Sequence, residues 1–259
     1  MSQKEIDVNK ADKEFMSTFA RGLQLIRSFG TDTPSMTLSA VAEKNQLSRA
    51  AARRFLLTLQ KLGYVSLEDK KFRLTAKVLE LGYSYLASLD FSDTITPFME
   101  EVTYQLGESC SALVLDGLDI VYVARIPRRG LIPLNLQIGA RLPAYATSGG
   151  RVLMSALANQ ELEDLLQKTH FEKLTAYTKG PDELRQELEK IRTNGYAIVD
   201  QELELGMRAL AVPVLDRRGQ ARFALNSSSH VSTVSLDRIV EEYVPIMQHA
   251  ARKIAEVLP

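Results

Sequence analysis

Between Met36 and Leu74 the chain reads MTLSAVAEKNQLSRAAARRFLLTLQKLGYVSLEDKKFRL, two helical hydrophobic patterns split by a short turn and followed by a hairpin pattern. That order predicts a winged helix-turn-helix. Leu38, Val41 and Ala42 share one face of the first helix, and Leu47 after the turn can fold back onto it. Ser48 is a good N-cap for the second helix. Ala52, Phe55, Leu56, Leu59 and Leu62 recur at three- and four-residue steps and define its buried stripe. The stripe turns Arg49, Ala50, Arg53 and Arg54 outward, with Ala51 in the same first turns. Such a helix end suits the major groove of DNA. Arginine grips guanine edges or phosphates bidentately, and small alanines let the backbone come close.

Gly63 ends that helix, and Val65 and Leu67, then Phe72 and Leu74, alternate with polar residues around Glu68, Asp69, Lys70 and Lys71. This predicts a two-stranded wing with Lys70 and Lys71 at or near its tip. The plainer alternative is a solvated charged face on a small helical bundle. The whole chain carries 32 basic and 32 acidic residues, and a neutral protein has no general attraction to nucleic acid. Met36 to Lys77 holds nine Lys/Arg against three Asp/Glu, whereas Tyr85 onward holds 18 basic against 23 acidic residues. Positive charge is thus concentrated where phosphate contact would need it.

Before the motif, Phe15, Phe19, Leu23, Ile26 and Phe29 make one apolar face stopped by Gly30, so a first helix should pack on the helix-turn-helix. Residues 1–14 are polar with no apolar core and read as a flexible leader, not a signal peptide. The winged domain is expected over 15–75 and a connecting helix over 76–92. In that helix Val78, Leu79, Gly82, Tyr83, Tyr85, Leu86 and Leu89 give more apolar surface than one domain covers; it suits either a dimer contact or the second domain. No apolar run approaches the ~20 residues of a membrane helix. The lone cysteine, Cys110, cannot form an internal disulfide, which points to the cytoplasm, and its apolar strand context predicts a buried inert thiol.

Residues 93–259 mix helix and strand. A helix is expected around Pro97–Leu106, then SCSALVLD and DIVYVARI as a hairpin across Asp116, Gly117 and Leu118. An irregular stretch runs into a helix at GARLPAYATSGGRVLMSAL, two more helices follow, the second from Pro181 to Gly195, and RALAVPVLD pairs with ARFALNSSS across Arg217, Arg218 and Gly219. A last helix spans Leu236 to Val257. The expected class is α/β of the α+β kind, an antiparallel sheet with helices packed on it.

The blocks FARGLQLIRSFG, SRAAARRFLLTLQKLGYV, RLTAKVLELGYSYL, ESCSALVLDGLDIVYVARIP, GARLPAYATSGGRVL and GYAIVDQELELGMRALAVPV together resemble the IclR family of bacterial transcriptional regulators, from the end of the leader onward. Within the family the chain looks most like the branch governing catabolism of protocatechuate, 4-hydroxybenzoate and β-ketoadipate-pathway compounds. The resemblance implies a winged helix-turn-helix, a linker helix and a GAF-like effector-binding domain. It also implies homodimers or dimers of dimers on palindromic double-stranded operators, associated with the nucleoid when bound, and no cofactor. Two departures stand out. Gln46 replaces the usual glycine of the turn, so Asn45 is expected to take the left-handed conformation. Ser148, Gly149, Gly150 replaces a pattern with a larger apolar residue in the middle, which should enlarge or loosen the pocket.

On the strand from Ala221 to Ser228, alternation puts Ala224, Asn226 and Ser228 on one face. Polar groups there need partners, which a ligand, structural water or backbone could supply. The resemblance implies that Asn226 and Ser228 line the effector cavity, as do Asp200, Glu202 and Ala209. It implies that Tyr145, Ala146, Thr147, Ser148 and Gly149 form the loop over the ligand. An anionic aromatic effector needs a cation, and Arg141, Arg151 and Arg208 are the arginines nearest these blocks; for each alone a structural ion pair, with Asp200 or Glu202, is favoured over a ligand contact. The expected effector is a small carboxylic acid, aromatic such as protocatechuate or 4-hydroxybenzoate, or the dicarboxylate β-ketoadipate. Alternatives are a regulator of an unrelated carbon-source operon and a sensor whose winged helix binds protein. An enzyme built on Asp200, Gln201, Glu202 and Glu204 is disfavoured: no metal-ligand spacing, Walker or dinucleotide glycine pattern, or nucleophile elbow accompanies them.

Overall fold

The computed structural model describes residues 14–88, 92–128 and 136–258. The chain divides into two compact units, one ending at Ser88 and one starting at Leu89. The expected leader lies outside the described residues except for Glu14, as do residues 89–91 of the expected linker.

The first unit runs α1 (Ser17–Arg27), β1 (Met36–Thr37), α2 (Leu38–Lys44), α3 (Arg49–Lys61), β2 (Val65–Glu68), β3 (Lys71–Leu74), a 3-10 turn and α4 (Leu79–Ser88). Thr37 caps α2 and Ser48 caps α3, each side-chain oxygen accepting a first-turn N–H. The strands form an antiparallel sheet in the order β1-β3-β2, with Asp69 and Lys70 at φ 47° and 62° closing the β2–β3 turn. Leu25, Val41, Ala52, Leu56, Val65 and Phe72 meet in one core.

Three expectations fail here for local reasons. Gln46, not Asn45, takes the left-handed conformation, at φ 51°. The Asn45 amide is buried and committed, donating to Val41 O at 2.9 Å and Ser28 Oγ at 3.0 Å, so the exposed glutamine bears the roughly 1 kcal/mol of backbone strain. Of the expected apolar face, Ile26 of α1 and Phe29 just past its end pack on the core beside Leu25, whereas Phe15, Phe19 and Leu23 are exposed. Leu62 is exposed because α3 has ended one residue earlier.

The second unit runs α5 (Ser92–Leu106), β4 (Ser109–Asp116), β5 (Asp119–Ile126), β6 (Arg141–Pro143), a 3-10 turn (Ala144–Ala146), α6 (Ser148–Ser155), α7 (Asn159–Lys168), α8 (Pro181–Asn194), β7 (Ala197–Asp200), β8 (Met207–Leu215) and β9 (Ala221–His230). It closes with α9 (Leu236–Arg238), a π turn and α10 (Val244–Val257), contiguous in sequence. Pro245 has no N–H to return to the preceding turn, which accounts for the π segment just before it. Helix α5 starts earlier than expected, since a proline near the N-terminus forfeits one bond without stopping the helix.

The six strands are antiparallel in the order β6-β5-β4-β9-β8-β7. Helices α5 and α10 pack together on one face. Val152, Leu153 and Met154 of α6 and Leu184, Leu188 and Ile191 of α8 cover the other, over Leu113, Ile120, Tyr122, Ala211 and Ala224. Short β6 and β7 close the edges; neither is long enough to show a period in the sequence.

Candidate functional site

In the first unit Ser48, Arg49, Ala50, Arg53 and Arg54 are exposed at the N-terminal half of α3, and Ala51 is half-buried. Among the described residues none of these three arginines is held in an ion pair, so each guanidinium keeps its donors for an outside anion. On the wing Lys70 occupies the turn and Lys71 opens β3, both exposed. Arg73 on the same strand faces Glu68 at 4.0 Å, an exposed pair worth little.

In the second unit a cavity of about 730 Å³ opens over the α6-side face of the sheet. Strand register sets two rows of side chains beneath it, of which Arg125, Ser109, Asn226 and Ser228 in one row and Tyr122, Leu113 and Ile120 in the other line the cavity. In one, Arg125, Ser111 and Asn226 stand side by side on β5, β4 and β9, with Ser109 opposite Ser228 just beyond. In the other, Tyr122, Leu113 and Ala224 stand side by side, extended by Ile120. One half of the floor is therefore polar and the other apolar. Above it, Thr147 caps α6 by accepting from Gly150 N at 3.2 Å, and Ser148 Oγ accepts from Asn226 Nδ2 at 2.9 Å.

Seven of the predicted effector residues line this cavity: Ala146, Thr147, Ser148, Arg208, Ala209, Asn226 and Ser228. Their polar groups have partners within the fold. Asn226 also donates to Leu210 O at 3.1 Å and accepts from Ser228 Oγ at 3.3 Å. Arg208 clasps Asp200 at 2.9 and 3.0 Å and donates to Val234 O at 2.7 Å.

The other six lie outside the wall. Arg151 is 0% exposed, donating to both Glu202 oxygens at 2.8 and 2.6 Å and to Tyr145 O at 2.8 Å. Arg141 is exposed on the edge strand, bonded to Asp116 at 2.6 Å and Asp119 at 3.1 Å. Tyr145 points at another segment, its hydroxyl donating to Glu172 O at 2.9 Å. Asp200 and Glu202 are the carboxylates of the two arginine pairs. Gly149 faces β4, where a Cβ would strike Leu113 Cδ1, and a Cβ on Gly150 would overlap the Ala144 backbone. Gly149 therefore lets α6 sit close to β4, and Gly150 lets it sit close to the turn that precedes it.

Strict alternation misses two cavity arginines. Ala112 pairs with Ala124 but Leu113 pairs with Tyr122, so Val123 is an extra residue in β5. The bulge puts Arg125 on the same face as Tyr122, where uninterrupted alternation would put it opposite; consecutive buried Val123 and Ala124 are the sequence trace of it. Arg128 lies just past the strand and bonds Glu108 at 3.3 Å. Burial pushes the Glu108 carboxyl up against the opposing pull of Arg128, and burial likewise raises the Tyr122 phenol against Arg125. Cys110 is fully buried, its thiol pushed up to about 12 by burial. Among the described residues no cluster of three or more His, Cys, Asp or Glu could hold a metal ion.

Residues 18–69 match the IclR helix-turn-helix domain, and residues 83–256 match the domain described as bacterial transcriptional regulator IclR C-terminal. The chain is 36% identical to the Pca regulon regulatory protein of Pseudomonas putida over 98% of its own length and 88% of that protein. It is also similar to a solved structure of a candidate transcriptional regulator from Rhodococcus sp. RHA1, at 42% identity and TM-score 0.85, covering 93% of this chain and 98% of that one. A double mutant of the PobR transcription factor inducer-binding domain from Acinetobacter, solved with 3-hydroxybenzoic acid, matches at 30% identity and TM-score 0.59 over 64% of this chain and 98% of the domain. Both halves of one regulatory architecture occur here in order and along most of the sequence, so the chain belongs to the IclR family of bacterial transcriptional regulators.

Proposed function

We propose that this regulator controls genes for aromatic acid catabolism, and that a small carboxylic acid, aromatic in kind, is the effector that occupies its cavity. The observation that carries this reading is the divided floor: a polar row holding an arginine beside an apolar row holding an aromatic side chain. A ring bearing a carboxylate satisfies both rows, and the volume falls within the roughly 300–1,000 Å³ of small-molecule sites. Similarity to the Pca regulon regulatory protein and to an inducer-binding domain holding 3-hydroxybenzoic acid supports the same class.

On the DNA side, α3 reads the major groove through Arg49, Arg53 and Arg54, with Ser48, Ala50 and Ala51 close to the backbone and Lys70 and Lys71 on flanking phosphates. Leu79, Leu81 and Tyr83 of α4 are 50–74% exposed, an apolar surface suited to a homodimer or dimer of dimers on a palindromic operator. The protein acts in the bacterial cytoplasm, at the nucleoid when DNA-bound; among the described residues no helix is long and apolar enough to cross a membrane.

Thermal shift with protocatechuate, 3- and 4-hydroxybenzoate and β-ketoadipate tests the ligand class. A bound acid stabilises the protein by about 2.7 kcal/mol at a hundredfold excess over its dissociation constant. The control is Asn226→Leu with Ser228→Ala, which should lose the shift. No shift with any of the four acids, or an equal shift in the control, overturns the proposal.

A further inference from the structure

We infer that Arg125, carried into the cavity by the β-bulge at Val123, is the residue that binds the effector carboxylate and sets the preference for acids over neutral aromatics. The inference rests on the proposed effector class, which supplies the carboxylate.

Among the described residues three arginines border the cavity, and two are already committed. Arg208 is held by both oxygens of Asp200 and by Val234 O, which uses its guanidinium edge. Arg128 is paired with the buried carboxylate of Glu108. The remaining wall carboxylate, Glu204, is exposed. Among the described residues no carboxylate forms an ion pair with Arg125, whose contacts are long bonds to hydroxyls: Nη1 to Ser111 Oγ at 3.3 Å and Nη2 to Ser109 Oγ at 3.4 Å. A guanidinium has five N–H donors, so three remain for an incoming anion. The two serines accept from Arg125 and so keep their own protons to donate. Ser109 lines the cavity beside Arg125, whereas Ser111 is buried.

The other anion-binding element at the cavity, the N-terminus of α6, is engaged in part from within the fold. Thr147 takes the Gly150 N–H, and Ser148 Oγ is bonded to Asn226. Arg125 also stands one row from Tyr122 and Leu113, so a benzoate whose carboxylate meets the guanidinium lays its ring on the apolar half of the floor. Without the bulge the strand's alternation would turn Arg125 to the α5 and α10 face, so the extra residue is a specificity device as well as a bend.

The test compares 3-hydroxybenzoate with its neutral amide, 3-hydroxybenzamide, by calorimetric titration of the full-length protein. The wild type should prefer the acid by at least tenfold. Arg125→Gln should lose acid affinity by about tenfold to a hundredfold, the range for a hydrogen bond to a charged group, while amide affinity changes less than threefold. Arg125→Lys retains part of the preference, as a point charge without the fork, and both variants should melt within a few degrees of the wild type. An unchanged acid preference in Arg125→Gln overturns the inference and leaves aromatic acid binding standing; so does a wild type that binds amide and acid equally. A wild type that binds neither overturns the aromatic reading. The same variants are then titrated with β-ketoadipate and adipate: loss of binding in Arg125→Gln alone upholds the anion role, and equal binding, or none, overturns it.

Discussion

Replacing Glu202 with glutamine removes the carboxylate bonded to Arg151, a guanidinium that has no access to water. Arg151 is 0% exposed, and two of its three hydrogen bonds go to Glu202 at 2.8 and 2.6 Å. Glutamine keeps the size and one acceptor but leaves the positive charge buried without a counter-ion, which costs about 3–5 kcal/mol. Lys179 does not contribute to that cost. Its ammonium is 3.5 Å from Glu202 and 3.1 Å from Glu187, and part of it already reaches solvent. At about 2–4 °C per kcal/mol for a unit of this size, Glu202→Gln should lower the melting temperature of the second unit by roughly 6–20 °C. The double change Arg151→Met with Glu202→Leu deletes both charges and should recover most of the loss. A deficit of about 1–3 kcal/mol should persist, because the Lys179 backbone N–H, now 3.1 Å from Glu202 Oε2, would lose its acceptor. The chain has no tryptophan and nine tyrosines, so far-ultraviolet circular dichroism with tyrosine fluorescence follows unfolding. A Glu202→Gln variant within 1 kcal/mol of wild type, or a double variant no more stable than the single one, would refute the reasoning.

Arg49→Ala and Arg53→Ala should each cost about 1–3 kcal/mol of operator affinity at fixed salt, with no change in melting temperature. Lys70→Ala and Lys71→Ala should weaken binding to all sequences alike and lower the slope of log K against log salt by about 1 each, checked by fluorescence anisotropy. Gly150→Ala should destabilise the second unit by about 1–3 kcal/mol in urea titrations, because its Cβ meets the Ala144 backbone, which cannot move without α6; Gly149→Ala, opposed only by the end of Leu113, should cost less. Cys110, buried with its thiol raised to about 12, should resist iodoacetamide at pH 8 in the native protein and react on unfolding.

Elements with a local cause were readable from the residues alone. Ser48 and the stripe of Ala52, Leu56 and Leu59 specify α3 and its exposed arginines, because capping and helical period act within one turn. The β4–β5 and β8–β9 hairpins follow from turn residues that adopt positive φ, at Gly117 and Gly219. What stayed hidden depends on pairing between distant segments. Whether Arg125 faces the cavity is decided by a register shift against β4, and a shift of one residue moves a side chain to the opposite face. Asp200 and Glu202 are legible as arginine partners, but which arginine takes which carboxylate, and that Arg141 takes Asp116 and Asp119 instead, is decided by contacts between distant segments. The apolar face read along 15–29 is only partly buried, with Ile26 and Phe29 packed and Phe15, Phe19 and Leu23 exposed, because contact within the tertiary core decides which part is covered.

The central claim is that cavity and operator are coupled, and the direct measurement is titration of 3- or 4-hydroxybenzoate into the protein with and without the DNA flanking its own gene. Coupling between two sites is reciprocal and typically amounts to 1–3 kcal/mol, about 5- to 150-fold. The acid should therefore bind with an affinity changed at least fivefold when DNA is present, and operator affinity should change by the same factor when acid is present. Equal acid affinity in both states, with operator binding unmoved by saturating acid, would contradict the account.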